Sequence, residues 1–559
     1  MNIFNNKGIL SLGVAMLLGA GCTSDFERIN TNPYELDDSQ IAYSDLFNEA
    51  QLSIFYNQSN GNWEYQLIQN LNADLYSGYL ANASAFNGGL NNSNYYMMDG
   101  WNSYTLNYML LHVVKPMTTV LNNETVADDY YAIAEILKVA GAHKMVDTYG
   151  PCPYSEAMQG GLSVKYDSDE DCYKAFLEQL EDACDKLTDY IDENGDKSGR
   201  LSWDKMLGGS HTAWLQFGNT LRLRLAMRCA VVAPDLAKKH AEAACANKYG
   251  LLKTLDAEVK DAATRNPQSV CCRDYSDNNV SADFESIMKG YNDPRMEKMI
   301  MPVGWGEEGS TWDKGDIKDA NGNNLNMRGQ YKGIRRAMSI SSKGNYVMFS
   351  IPYVNVDSSD PYSTLVPLPI MSRAEASFLQ AEGVLRGWNM GGGDAKSYYE
   401  EGIRNSFTKY GLSDKVDAYL AGETIAADYV DPFNPAMSIA AVNDVPVKFL
   451  TSGDKEQQLQ QIITQKWIAG FPEGLNAWAE QRRTGYPKLF PGVDCQTQAQ
   501  YLSGSAEDIK ANGPRRLPFA YSERNSNPAG LETGKAILQS RGQSDVIDAR
   551  IWWDTGKNF

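Results

Sequence analysis

The spacing of apolar residues over 454–486, DKEQQLQQIITQKWIAGFPEGLNAWAEQRRTGY, predicts two packed helices joined by a sharp corner. Leu459, Ile462, Ile463, the stem of Lys466 and Trp467 recur at the three-and-four spacing of one helical face. Gly470 supplies a stop, and Pro472 fits the first turn of a second helix that carries Leu475, Trp478 and Ala479 inward. Comparable stripes run through much of the chain. Leu46, Phe47, Ala50 and Ile54 mark 42–56, and Leu67, Ile68 and Leu71 mark 63–73. Asp128 or Asp129 caps a helix to 147 with Ile133, Ile136, Leu137, Ala140 and Met145 inward. Tyr173, Phe176, Leu177, Leu180, Cys184 and Leu187 stripe 170–191, and further helices are expected over 214–232 and 234–249. Ser372 with Glu375 forms a capping box, and Asp394 caps its partner helix through Tyr398, Tyr399, Ile403 and Phe407. Helix pairs of this length with short links predict a mostly α fold, in which tetratricopeptide-like hairpins stack into a superhelix.

Two stretches break the period. Residues 76–100, YSGYLANASAFNGGLNNSNYYMMDG, have neither a helical nor a strand repeat and read as a long ordered loop, a common form of binding element. Between 251 and 369 Gly, Asn, Asp and Pro rise and short apolar runs such as 346–351 suggest small strands, so this is the expected ligand-facing subregion. Asn side chains offer donors and acceptors, and aromatic rings offer flat faces; together they suit sugar hydroxyls and the C–H faces of pyranose rings. Trp305 and Trp312 lie in an aperiodic, Gly- and charge-rich segment, with Arg328 and Tyr331 close behind. The expectation is one aromatic platform, built from these four residues and from Tyr76, Phe86, Tyr95 and Tyr96 of the earlier loop. Trp101, Trp467 and Trp478 fall on helical faces and are expected to be structural.

The amino terminus changes the picture again. Residues 1–21 carry Lys7, an apolar run from Ile9 to Leu18 and then small residues before Cys22, the layout of a secretory signal peptide. Small residues followed directly by Cys match a lipidation site, although Gly19 stands where a leucine is usual. Cys22 is thus the expected lipid-bearing first residue, and the polar, turn-rich 22–39 the expected tether. The remainder, 40–559, reads as one domain, with a helical scaffold over about 40–250 and 370–490 around the loop-rich 251–369.

Composition then removes some function classes. A formal charge of −19 argues against nucleic acid as a partner. Of the 9 cysteines none forms a CxxC pair or a Cys/His metal spacing, so no metal site is expected. Gly304 to Gly309 spells GxGxxG, yet an irregular loop follows where a helix would have to open, so no dinucleotide cofactor is expected. Asp192, Asn194 and Asp196 imitate a calcium loop, but Lys197 replaces its glycine and Trp203 its closing glutamate. No nucleophile elbow or HExxH helix is present, and the sequence reads as that of a non-enzyme.

A set of landmarks identifies a family. The DFERINTNP start after Cys22, the triplet Asp293-Pro294-Arg295 and the PIMSRAEASFLQAEG helix from Pro369 are followed in order by QIITQKWIAG from Gln461 and by Arg515-Arg516-Leu517-Pro518 with Tyr521, Glu523 and Asn527. In order and spacing they resemble the SusD/RagB family of outer-membrane nutrient-binding lipoproteins across nearly the whole mature chain. The resemblance implies a surface-exposed, lipid-anchored protein. It also implies a SusC-like TonB-dependent transporter as partner and an oligosaccharide or polysaccharide as ligand. Peptide or other nutrient capture on the same scaffold is the alternative reading, and a surface glycoside hydrolase the one outside it.

Overall fold

The computed structural model describes residues 42–55, 62–161, 163–197, 199–259, 266–310, 312–319, 321–354, 367–452 and 454–559. The signal peptide, Cys22 and the tether fall outside these residues. The chain divides into two units, 1–46 and 47–559; only 42–46 of the first is described, as the opening of α1 (Tyr43–Ile54). Everything below concerns the second.

Helical hairpins build the scaffold. Helices α2 (Asp128–Tyr149) and α3 (Asp169–Asn194) pack along their lengths, and α3 also packs on α4 (His211–Arg228), which pairs with α5 (Pro234–Ala246). A short α6 (Ala282–Gly290) lies in the loop-rich stretch. The tightest pair is α7 (Arg373–Leu385) on α8 (Ala395–Lys409), with α9 (Lys455–Gly470) against α7, α10 (Gly474–Thr484) following it, and α11 (Pro528–Ser540) near the carboxyl end. The mostly α, tetratricopeptide-like architecture expected from the periodicity is the one observed.

Local signals explain most helix ends. Ser168, Ser210, Asp394 and Asp454 each accept a backbone N–H from three residues on, as N-caps do. Asp129 departs from its expected role: instead of capping α2 it is fully buried and takes Arg200 and His211 on its carboxylate. The capping box at Ser372 is half made. Ser372 caps the Glu375 N–H at 3.2 Å, but the Glu375 carboxylate is drawn to Arg224 instead. At the α9–α10 corner, Pro472 lies outside the second helix, after a cis peptide from Phe471, and Glu473 caps the Asn476 N–H at 2.9 Å.

Polar residues fill the core between the hairpins. Arg224 of α4 forms a two-pronged pair with Glu375 of α7 at 2.8 and 2.6 Å, and Arg483 of α10 a similar one with Glu382 at 2.6 and 2.7 Å. Glu480 lies within 2.7 Å of Arg483, 3.1 Å of Arg228 and 3.3 Å of Lys466. All these side chains are buried. Burial opposes ionisation of Glu375, but Arg224 and then Lys466 outweigh it and hold its carboxyl at about 2. Four helices from distant parts of the sequence are thus tied by one ionic lattice.

Glu135 of α2 has the opposite balance. Burial, then Asp182 of α3, pushes its carboxyl from the ordinary 4.5 up to about 8, against weaker help from Lys186 and Lys138. A folded-state value above the unfolded one means that the proton-linked stability is complete below about pH 4.5 and is lost as pH rises through 8. Glu135→Gln should therefore change stability little at pH 5 and be more favourable at pH 9 than at pH 5 by about 4 kcal/mol. Urea midpoints at the two pH values check this; equal shifts at both would contradict it.

Among the described residues, strands of the loop-rich stretch take part in three two-stranded antiparallel ribbons. Strand β1 (Leu80–Asn82) pairs with β3 (Asn278–Val280), β2 (Ala257–Val259) with β6 (Leu368–Met371), and β4 (Ile300–Met301) with β5 (Ile351–Pro352). The run 346–351, expected to be a strand, is mostly turn, and only Ile351 and Pro352 are extended and paired.

Candidate functional site

The two aperiodic stretches meet. Leu80 pairs with Val280 through β1–β3, and beyond that ribbon Ala81 and Ala83 pack with Val303, Ile317, Ile334, Met348 and Phe349 into a small apolar cluster. Half-buried Leu325, Met327, Met338 and Tyr346 lie against it. The Asn94 amide reaches the Ser339 hydroxyl at 3.0 Å, and Ala83 N–H donates to the Asp277 carbonyl at 2.7 Å. Residues some two hundred positions apart are therefore held on one face.

Much of the 76–100 loop serves this joint rather than the surface. Asn92 donates to Asn72 at 2.7 Å and to Asn102 at 2.8 Å; Asn82 donates to the Ser84 carbonyl and the Ser93 hydroxyl. These amides, expected to serve sugar hydroxyls, instead satisfy buried loop backbone and one another. Tyr76 and Tyr95, expected on the platform, are 3% and 1% exposed. Their rings meet edge to face at 5.6 Å, and Tyr76 also packs on Trp478 at 5.2 Å. The Tyr76 hydroxyl donates to the Asn92 carbonyl at 2.9 Å. Neither ring offers a face to a ligand.

Trp305 is corrected likewise, at 2% exposure, with the Lys314 ammonium 4.9 Å from its ring centroid. Gly304 and Gly306 adopt left-handed φ of 70° and 97°, and a Cβ on either would strike the returning arm, Gly315 O at 2.4 Å and Trp312 O at 2.3 Å. The two arms of the loop touch through backbone on either side of Trp305.

The half-exposed aromatics form the surface that remains. Phe86 stands edge to face with Trp101 at 5.9 Å and 83°. Trp101, expected to be structural, is half-buried because its short 3₁₀ turn (Trp101–Ser103) precedes the helix whose phase it had seemed to share. Exposed Trp63 meets Tyr104 edge to face at 5.4 Å. Trp312 is half-exposed with the buried Arg273 guanidinium 4.8 Å from its centroid. Tyr275 is exposed, and Lys343 bonds to its carbonyl while pairing with Asp277 at 2.7 Å. Gln66 holds the other oxygen of Asp277 at 2.7 Å. Tyr96 and Tyr331 are half-buried; Arg328 is exposed but bonded to Asp313 at 2.6 Å and to the Gly306 carbonyl at 3.1 Å.

Of the eight residues expected to contact a ligand, Phe86, Tyr96, Trp312, Tyr331 and Arg328 lie at the surface, while Tyr76, Tyr95 and Trp305 lie in the interior. The sequence reading offered none of Trp63, Trp101, Arg273, Tyr275, Lys314 and Lys343 for the ligand face. A π-helical turn (Val270–Asp274) carries Arg273, in a stretch without a periodic signal. Phe86, Trp101 and Trp312 are thus half-buried, each with a ring or a guanidinium packed against it.

The helical-hairpin scaffold with its loop-built face has counterparts among known proteins. The family model described as SusD-like, SusD and RagB outer membrane lipoprotein, matches residues 27–554. The chain belongs to this family. Among solved structures it is similar to a chitin-binding SusD homolog from Flavobacterium johnsoniae, at 36% identity and TM-score 0.81, over 92% of this chain and 100% of that one. A SusD homolog from Bacteroides vulgatus matches at 30% identity and TM-score 0.80, over 92% and 98%. One from Bacteroides thetaiotaomicron matches at 28% and 0.79, over 92% and 99%. No curated protein sequence matches the chain. Among the described residues, no helix is long and apolar enough to cross a membrane.

Proposed function

We propose that this chain is a non-catalytic, lipid-anchored surface protein that captures an oligosaccharide or polysaccharide and passes it to a SusC-like TonB-dependent outer-membrane transporter. The observation that carries the reading is the set of partly exposed aromatics, Phe86 with Trp101 and Trp312 on Arg273, carried by loops that pair and hydrogen-bond to one another. Such rings stack on pyranose C–H faces at little entropic cost, because their partners already fix them. The chitin-binding homolog at 36% identity supports a glycan and makes an N-acetylglucosamine polymer the first one to test. A gel-retardation panel of neutral, acetylated and acidic polysaccharides tests the reading. Retardation by at least one is expected; passage through all of them unretarded, with the folded state confirmed, would contradict it.

Anchoring and partnership have their own tests. Cys22 lies outside the described residues, and the family description as an outer-membrane lipoprotein supports acylation there. Acyl chains contribute about 0.8 kcal/mol per buried methylene, so Cys22→Ala should move the protein from the membrane to the soluble fraction. Retention of the variant in washed membranes would refute the anchor. Affinity purification from gently solubilised outer membranes should bring down a large β-barrel protein over a broad contact. Recovery of free monomer across several mild detergents would remove the transporter from the account.

A further inference from the structure

The loop that presents Trp312 is cinched from inside. The Asp313 carboxylate accepts three donors at once: Gly309 N–H at 2.8 Å, Gly315 N–H at 2.9 Å and Arg328 Nη1 at 2.6 Å. Arg328 comes from fifteen residues further on, and its Nη2 donates to the Gly306 carbonyl at 3.1 Å. One guanidinium thereby closes both arms of the loop, before and after Trp312. The backbones of the arms are already in contact at Gly306 and Trp312, where no Cβ fits. Behind the indole lies Arg273, 1% exposed, with Nε bonded to Asp274 at 2.7 Å. Every element around Trp312 is thus anchored, and the ring itself is half-exposed.

Arg328 reads from sequence as a hydrogen-bond donor to the ligand. Its position in the structure assigns it elsewhere. Its Nη1 and Nη2 each direct one N–H to a protein oxygen, so the orientation of the guanidinium is set by the loop it closes. Its pair with Asp313 is also near the surface, where such pairs contribute little to global stability. A bond of small stability value that fixes a half-exposed indole acts on the geometry of that ring.

We propose that Asp313 and Arg328 are positioning residues: they do not contact the glycan but latch the 304–315 loop so that Trp312 meets it at a fixed angle and depth. The proposal rests on the glycan-capture reading. Loosening the latch leaves the stacking ring in place chemically and lowers affinity by the cost of ordering the loop on binding.

A double-mutant cycle on glycan affinity, read by calorimetry, tests it. Asp313→Ala and Arg328→Ala should each weaken binding about tenfold, with the double variant no worse than the weaker single, because both remove the same constraint. Arg328→Lys, which keeps one donor and the charge, should recover part of the loss. In a Trp312→Ala background neither substitution should matter further. If Arg328→Ala and Asp313→Ala add, or if Arg328→Ala still weakens binding without Trp312, Arg328 touches the ligand directly and the proposal fails. Hydrogen exchange of the 304–315 amides in ligand-free protein separates this from the function itself. Faster exchange in both single variants is expected whatever the ligand proves to be, and unchanged exchange would overturn the latch. A wild-type protein that binds no glycan would instead overturn the functional reading.

Discussion

Glu480→Ala should lower the unfolding free energy by about 3–5 kcal/mol, or prevent folding outright, because it strands buried cations. Arg483, Arg228 and Lys466 all lie within 3.3 Å of the Glu480 carboxylate, and none is more than 4% exposed. Arg483 would keep Glu382 at 2.6 Å, but Lys466 would be left with Glu375 at 3.5 Å. Glu480 itself is held well below the usual carboxylate range: burial works against that, and Arg483, Lys466 and Arg228 prevail. The matched control is Glu423→Ala, which breaks an exposed pair with Lys448 and should leave stability nearly unchanged. Chemical denaturation of both variants checks the contrast. A Glu480→Ala loss as small as the control's would mean that the lattice is not what ties α4, α7, α9 and α10 together.

Trp312→Ala should fold normally and lose about 2 kcal/mol or more of glycan binding, roughly a thirtyfold weakening. The ring is half-exposed, so its removal uncovers little core, while its face is the largest flat surface the loop offers. Trp305, seven positions earlier, should behave in the reverse way. At 2% exposure it is a buried indole, so Trp305→Ala should lower the melting temperature by several degrees. Calorimetry with a binding glycan and thermal melts on both variants decide the pair. Equal affinity losses would mean that the loop opens on binding and exposes both indoles.

That pair also shows where sequence reading stops. The helices of the scaffold were legible because apolar residues repeat at helical spacing and Ser or Asp precedes most of them. Some of the family landmarks were legible for a related reason: they lie in buried hydrogen-bond networks. Arg295 is fully buried and bonds Asp293, Ser406, Tyr419 and Gln465, and Arg516 donates to the Tyr149 carbonyl and to Asp545. Such residues admit few replacements, and so they carry the resemblance. They say nothing about the ligand.

The face was legible only as a region. In an aperiodic loop no phase tells an inward ring from an outward one. Trp305 is buried and Trp312 half-exposed because of backbone contact at Gly304 and Gly306, a tertiary fact. The helical phase assigned to Trp101 failed because a 3₁₀ turn opens that helix. Asn residues that suit a sugar equally suit a tightly wound loop, and here Asn82, Asn92 and Asn94 hold the loop together. The ionic lattice was illegible for a different reason. A polar pattern places Arg224, Arg228 and Glu480 at the surface, and only the approach of four helices encloses them.

The most direct test of the account is a footprint of the bound glycan, read as side-chain protection from hydroxyl radicals on saturating a wild-type protein with a polysaccharide that retards it. The account predicts protection at Phe86, Trp101, Tyr275 and Trp312, with Tyr76, Tyr95 and Trp305 unreactive with or without ligand. Protection instead at Tyr353, Tyr410 and Phe471, around the cavity of about 190 Å³ that they line, would place the binding site elsewhere and contradict it.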